Sequence, residues 1–466
     1  MLYVLHNHGH INELQTMVQV FFPNEKFNAV DVRHETIDRE AAFIIESRMD
    51  LDIIFAGVYQ KNKCLAEYSW DLNNISPFLN ERRVIMLCLY HVLQQAVGAS
   101  TPWGALTGIR PSKLVREWLD NHHHEAEILT TLTETYWVCK EKAQLAITVA
   151  HAEKRLTPPP ATIGIYVSIP FCPTRCIYCS FNTAHKPAGI DLQEQYSAAL
   201  IRECFEKAAQ ARAMGATISS IYIGGGTPTI LSENLLEKVL NAIGENFGSA
   251  TEYTVEAGRP DTLTPAKLKL MRQYGVNRIA VNPQTLNDKT LSAIGRVHTS
   301  ADFFTAFEAA REAGFACINT DLIAGLPDET ADDMHRSMEA LAKLAPENIT
   351  IHTLAVKRAS ILKDKGVIAS SLSPIAEMLS IASKACAQMG LSPYYLYRQK
   401  NMVGLFENVG YSKPNHECLY NIGMMAEVQT ILGIGAGAVT KYVEGNKISR
   451  EFNAKNPEIY IERRCK

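Results

Sequence analysis

Cys172, Cys176 and Cys179 lie in the run Tyr166-Val-Ser-Ile-Pro-Phe-Cys-Pro-Thr-Arg-Cys-Ile-Tyr-Cys-Ser-Phe181, at the spacing C-x3-C-x2-C. An apolar, strand-like stretch from Ile163 to Ile169 leads directly into them. Thiolates are the protein ligands of iron–sulfur clusters, and a full cubane takes four. Three close thiols without a fourth beside them leave one iron free of protein, and an open metal position can hold a substrate or cofactor. The competing readings are three unrelated buried thiols, or a structural zinc site, which usually pairs C-x2-C units and closes with four ligands. The spacing favours the cluster.

Other residues with chemistry follow at intervals. Gly224-Gly-Gly-Thr-Pro-Thr229 comes after a second apolar run. Successive glycines let backbone approach a ligand closely. The run lacks both Lys-Ser/Thr and the G-x-G-x-x-G spacing of phosphate loops, so by itself it reads as a tight turn. Glu256 ends a third strand-like run, Gln284 follows a fourth, and Asp321 lies inside an apolar fifth, Ile318-Asn-Thr-Asp-Leu-Ile-Ala-Gly-Leu-Pro327. A carboxylate in an apolar strand needs a ligand or a basic partner. Arg296, in Ala293-Ile-Gly-Arg-Val-His298, is suited to pairing bidentately with a carboxylate. Singly, each reads as a local ion pair or turn residue; together on one rim they read as ligand contacts.

The cysteine run resembles the cluster motif of the radical S-adenosylmethionine (SAM) superfamily. A narrower resemblance is to the oxygen-independent coproporphyrinogen III oxidase family, in its HemZ-type branch. It is carried by Tyr166-x-x-Ile-Pro-Phe-Cys172, the Gly-Gly-Gly-Thr-Pro-Thr run, Val255-Glu-Ala-Gly-Arg-Pro260 and the segment from Gln284 to Arg296. Asp321-Leu-Ile-Ala-Gly-Leu-Pro327, Tyr397-Arg-Gln-Lys-Asn-Met-Val403 and Ile434-Gly-Ala-Gly-Ala-Val439 complete it, over residues 160 to 445. The resemblance implies a 4Fe-4S cluster on Cys172, Cys176 and Cys179, with SAM on its open iron. It implies SAM contacts at Tyr166, Tyr178, Gly225, Gly226, Thr227, Glu256, Gln284, Arg296, Asp321, Leu354 and Val439.

The implied activity is coproporphyrinogen dehydrogenase: oxidative decarboxylation of coproporphyrinogen III to protoporphyrinogen IX, with a reductant such as flavodoxin or ferredoxin. The family's oxidases carry a fourth cysteine where this chain has Phe181, and the haem-chaperone branch carries phenylalanine there. A haem-binding chaperone without oxidase activity is therefore an alternative, as is a radical SAM methyltransferase that opens the haem ring.

The elements that must position these residues are legible too. Beyond Thr157-Pro-Pro-Pro160, which cannot continue a helix, strand-like runs stand at Gly164–Ser168, Ser219–Ile223, Tyr253–Glu256, Arg278–Val281, Cys317–Ile323 and Ile349–Leu354. Helical patterns at Asp191–Met214, Glu233–Asn246, Pro265–Tyr274, Asp302–Ala313 and Asp332–Lys343 alternate with them. The fold class is α/β, a partial (βα)6 radical SAM barrel over residues 161–355, whose sites belong at the carboxyl ends of strands. Residues 356–466 are expected as a family-specific cap, with Arg398 and Lys400 beside aromatics as either propionate contacts or solvated surface. His352 and His416 read as structural histidines, or as haem ligands under the chaperone alternative.

Residues 1–157 read as an amino-terminal α+β accessory domain. Strands are expected at Leu2–Leu5 and Asp52–Tyr59, and helices at Ile11–Phe22, Arg82–Gln95, Pro111–Asp120 and one long stretch from Glu125 to Arg155. The loop Pro102–Pro111 shows an exposed-looking Trp103 and Arg110, and His122–His124 read as solvated surface. Across the 466 residues, 47% hydrophobic and 20% charged composition is that of a globular enzyme. A net charge of −3 gives no attraction for nucleic acid or anionic membrane. No apolar run reaches membrane-spanning length, the amino terminus has no signal-like pattern, and eleven cysteines without one point to reduced thiols in the cytoplasm.

Overall fold

The computed structural model describes residues 2–23, 25–31, 43–108, 110–179, 188–355, 372–399, 403–445 and 447–464. They form two compact units, Met1–Thr148 with Gly404–Phe406, and Val149–Val403 with Glu407–Lys466.

In the first unit β1 (Leu2–His6), α1 (Ile11–Phe21), β2 (Phe27–Asp31), β3 (Phe43–Asp50), β4 (Ile53–Gln60) and β5 (Lys63–Asp71) build a five-stranded sheet. Its order is β2-β1-β3-β4-β5, with β1 parallel to both neighbours and the rest antiparallel. Lys61 and Asn62 turn β4 into β5 with φ of 49° and 60°, the left-handed pair a tight hairpin requires. Strands β2, β3 and β5 have no counterpart in the sequence reading; β3 and β5 intersperse charged residues through their apolar positions, which blurs the alternation. Helices α2 (Glu81–Val97), α3 (Pro111–Asp120), α4 (Glu125–Thr130) and α5 (Lys140–Arg155) follow.

Two expectations fail here for one reason. The stretch from Glu125 to Arg155 is not one helix: a π-helical turn spans Thr131–Thr135, and Trp137 takes a left-handed φ of 53° before α5. Trp103 is fully buried, not exposed. The loop holding Trp103 lies against the break, with Ala105 N donating to Tyr136 O at 2.8 Å and Cys139 N to Pro102 O at 3.0 Å. Backbone groups left free by the broken helix are thus satisfied by the loop.

The second unit contains β6 (Thr162–Ile169), α6 (Ile190–Ala213), β7 (Thr217–Gly225), α7 (Glu233–Phe247), β8 (Glu252–Glu256), α8 (Pro265–Gln273) and β9 (Arg278–Ala280). Then come α9 (Asp288–Ala293), α10 (Ser300–Glu312), β10 (Cys317–Ala324), α11 (Ala331–Leu344), β11 (Asn348–Thr353) and α12 (Leu372–Gln388). The chain ends with β12 (Ser392–Tyr397), β13 (Asn408–Ser412), α13 (Leu419–Met425), β14 (Ile431–Ile434), β15 (Val439–Glu444), β16 (Lys447–Phe452) and α14 (Pro457–Arg464). The sheet order is β12-β13-β11-β10-β9-β8-β7-β6-β14-β15-β16. Strands β6 to β11 are parallel neighbours in chain order, the arc of the expected partial barrel. Ser and Thr caps start the helices around it: Ser232, Thr264, and capping boxes at Thr299/Asp302 and Thr330/Asp333.

The segment expected as a cap also extends the sheet at both edges. β14 pairs parallel with β6, and β13 pairs antiparallel with β11, so the backbone groups at either end of the arc are paired. The carboxyl-terminal helix is tied in by Glu203 of α6, which is fully buried. Its carboxylate accepts from Tyr460 Oη at 2.6 Å, Gly435 N at 2.7 Å and Asn453 Nδ2 at 2.9 Å, and pairs with Arg464. Glu203→Ala is expected to cost about 3 kcal/mol, because several buried donors lose their acceptor at once; a urea midpoint measurement reads this. Among the described residues no helix is long and apolar enough to cross a membrane.

Candidate active site

The loop after β6 carries the three cysteines and is pinned from two sides. Gly226 N donates to Ile169 O and Thr227 N to Phe171 O, both at 2.7 Å, and Thr227 Oγ1 donates to Cys172 Sγ at 3.4 Å. On the other side Ile177 N donates to Ile294 O at 3.0 Å and Thr174 Oγ1 to Gly295 O at 2.9 Å. A Cβ on Gly226 would meet Phe171 O at 2.5 Å and Cys172 Sγ at 3.0 Å, so the glycine run is fitted to the cysteine loop. Among the described residues no three His, Cys, Asp or Glu side chains converge on one metal ion.

All three cysteines line a cavity of about 370 Å³ at the carboxyl ends of the barrel strands. Tyr166, Tyr178, Gly225, Gly226, Thr227, Glu256, Gln284, Arg296, Asp321 and Leu354 line it as well. Val439 is not among the lining residues: it lies in β15 opposite Phe452, with its backbone against Gly433. His352 lines the cavity, 3.5 Å from Asp321. His416 is not among the lining residues, and its carbonyl accepts from Arg278 and Asn348. Arg398 is buried rather than solvated, and burial pulls its guanidinium down to about 10. Lys400 and Phe181 lie outside the described residues.

Asp321 finds the partners its burial demands: Asn319 Nδ2 at 2.8 Å, Asn282 Nδ2 at 2.9 Å, and His352. Among the described residues Arg296 makes no carboxylate pair. It donates to the carbonyls of Asn282 at 2.6 Å and Gly258 at 3.1 Å and to Tyr178 Oη at 3.3 Å. Among the described residues its Nε and the Oε1 of Gln284 are buried without a hydrogen-bond partner. Gln284 also holds a left-handed φ of 69°, fixed by Gln284 N on Asp321 O at 3.0 Å and Ile323 N on Gln284 O at 2.9 Å. Buried polar atoms without partners cost about 1–3 kcal/mol each. Strain and orphaned atoms together at a cavity wall mark a ligand site. A free donor and acceptor beside carboxylates suit the amino-acid and ribose groups of SAM.

Burial raises the Glu256 carboxyl from its ordinary 4.5 to about 7; a hydrogen bond from Tyr222 Oη at 2.6 Å opposes this, and the charge of Asp321 adds to it. The folded chain therefore holds more protons than the unfolded one between these values, and stability falls as pH rises through that window. Glu256→Gln is neutral throughout. Its melting temperature relative to wild type is expected to climb between pH 5 and pH 7.5, and a thermal-melt series in the absence of SAM checks this.

Residues that sequence reasoning passed over complete the wall. Tyr222 stacks on Tyr166 and Tyr420, with ring centroids 6.3 and 4.3 Å away, and Asn282, Asn319, Tyr395 and Tyr397 line the cavity. Tyr222 was signalled by sharing a face with Ser220 and Gly224 on a parallel strand; Tyr420 carried no such signal.

Residues 166–341 match the family model described as the Radical SAM superfamily, the class that fold and cysteine loop define. Proteins of this superfamily use a 4Fe-4S cluster and SAM. The oxygen-independent coproporphyrinogen-III oxidase-like protein HemZ of Bacillus subtilis is 36% identical over 408 residues, covering 85% of this chain and 81% of that one. The heme chaperone HemW of Bacillus subtilis is 34% identical over 283 residues, 59% of this chain and 69% of that protein. The chain belongs to the family of radical SAM proteins that holds HemZ and HemW. The coproporphyrinogen III oxidase HemN structure from Escherichia coli shares the fold, with a TM-score of 0.52 at 22% identity over 67% of this chain and 71% of that one.

Proposed function

We propose that this chain is an oxygen-independent coproporphyrinogen III oxidase, converting two propionate side chains of coproporphyrinogen III to the vinyl groups of protoporphyrinogen IX. The observation that carries this reading is its likeness to the coproporphyrinogen oxidase-like HemZ protein over most of both chains. When bound and reduced by one electron, cluster and SAM supply the power to remove a hydrogen atom from an unactivated carbon. The cysteines Cys172, Cys176 and Cys179 hold the cluster. Gly225, Gly226 and Thr227 lay backbone beside it, and Arg296 Nε and Gln284 Oε1 offer SAM a donor and an acceptor in a buried wall. Glu256 and Asp321 hold polar groups of SAM, with Tyr166, Tyr178 and Leu354 packing around it. The protein orients the propionate β-carbon and excludes water. Each propionate loses a hydrogen atom, carbon dioxide and one electron to an external acceptor.

In this scheme residues 1–157 are accessory, residues 161–355 carry the chemistry, and residues 356–466 cover the tetrapyrrole. The electron comes from a protein such as flavodoxin or ferredoxin, in the cytoplasm. A second reading, a haem chaperone, is favoured by the likeness to HemW and by Phe181 at the position of the oxidases' fourth cysteine. An anaerobic assay with SAM, reductant and coproporphyrinogen III, repeated with haem, decides. Protoporphyrinogen with carbon dioxide supports the oxidase; stoichiometric haem binding without that product overturns it for the chaperone, and a methylated linear tetrapyrrole for a ring-opening methyltransferase.

A further inference from the structure

We propose that Arg259 is a positioning residue that sets the reduction potential of the cluster, by holding a clamped guanidinium against the Sγ of Cys176. The inference rests on the assignment of Cys172, Cys176 and Cys179 as cluster ligands.

Arg259 follows β8 on the loop beyond Glu256, lines the cavity, and is only 3% exposed. A guanidinium taken this far out of water is costly unless every face is used. Here Nε and Nη2 take both oxygens of Asp261, at 2.9 and 3.0 Å, the planar fork geometry suited to arginine. The remaining nitrogen, Nη1, donates to Thr174 Oγ1 at 3.0 Å and lies 4.0 Å from Cys176 Sγ. Thr174 is fixed in turn on Gly295 O, so clamp and cysteine loop share one support. The ring of His298, itself buried, stands 3.7 Å from Asp261. Burial opposes ionisation of Asp261, but the His298 ring and the Arg259 guanidinium hold its carboxyl well below the usual carboxylate range. The clamp is therefore an ion pair with its cationic edge turned to the ligand sulfur.

Cys172, by contrast, accepts from the neutral hydroxyl of Thr227. Arg296 also interacts with Cys176, but its free nitrogen is assigned above to SAM. Arg259, with Nε and Nη2 spent on Asp261 and Nη1 on Thr174, is a cation held beside Cys176 Sγ by the protein's own groups, whether or not SAM is bound. Hydrogen bonds and positive charge at a ligand sulfur favour the reduced, more negative cluster and raise its potential.

The test is an EPR-monitored redox titration of the full-length chain, reconstituted anaerobically with iron and sulfide and without SAM, for wild type, Arg259→Gln and Asp261→Asn. Removing the cation is expected to lower the one-electron reduction constant by about tenfold, a midpoint about 59 mV more negative. Removing the anion behind it is expected to shift the midpoint the other way. A merely structural role moves neither midpoint, or moves both in one direction, and either result overturns the proposal. If Arg259→Gln does not retain a cluster, the sign of the Asp261→Asn shift decides: upward supports the proposal, and no shift or a downward one overturns it. A wild-type chain that takes up no iron and sulfide overturns the cysteine assignment itself.

Discussion

Cys176→Ala is expected to leave a folded chain that retains less than a full complement of iron and sulfide and cleaves SAM no faster than buffer. The side chain lost is small, and the cost to folding is that of one buried sulfur atom, about 1–2 kcal/mol. The cost to the site is larger in kind. With two thiolates left, two corners of a cubane are without protein ligands, and the cluster is no longer held at the rim where Gly225, Gln284 and Arg296 stand. Cys204→Ala is the matched control: that thiol is buried in α6 away from the cavity, and burial pushes it up to about 12, so it is neither a thiolate nor a ligand. Iron, sulfide and SAM-cleavage assays on both variants separate loss of a ligand from loss of a thiol.

Gly226→Ala is expected to lower the rate of SAM cleavage by about a hundredfold, since a misplacement near 1 Å at a reacting centre costs this much. The added methyl would sit 2.5 Å from Phe171 O and 3.0 Å from both Cys172 Sγ and Ile169 O, so two of its three neighbours are backbone atoms that cannot swing aside. The cysteine loop must shift, and with it the thiol that takes the Thr227 hydroxyl. Gly244→Ala provides the contrast. That glycine lies within α7 with nothing inside 4 Å of its added methyl, and the change is expected to stabilise the chain by up to about 1 kcal/mol with activity intact. Steady-state SAM cleavage beside a thermal melt reads both.

What the sequence disclosed depended on how local the determinant was. The cysteine spacing and glycine run are contiguous, and strands β6 to β11 are short apolar runs separated by capped helices, so barrel and cluster loop were both legible. Arg296 is legible as a candidate contact from its residue type, but the carbonyls of Gly258 and Asn282 that hold its guanidinium at the cavity are backbone atoms, which no pattern of side chains announces. The aromatic wall needed Tyr420, brought to Tyr222 because Glu252 accepts from the backbone of Leu419 and Tyr420 at 2.7 and 3.1 Å, across a gap of more than 160 residues. The pairing of β14 with β6 is equally remote in sequence. Trp103 was misjudged because its glycine- and proline-rich surroundings read as surface, whereas the broken helix at Tyr136–Cys139 supplies that loop with a buried seat.

The most direct measurement is the EPR spectrum of the anaerobically reconstituted, reduced chain, recorded with and without SAM. A cubane held by Cys172, Cys176 and Cys179 leaves one iron open, and SAM binding there is predicted to change the spectrum; a cluster signal that stays the same at saturating SAM, or no cluster signal at all, contradicts it.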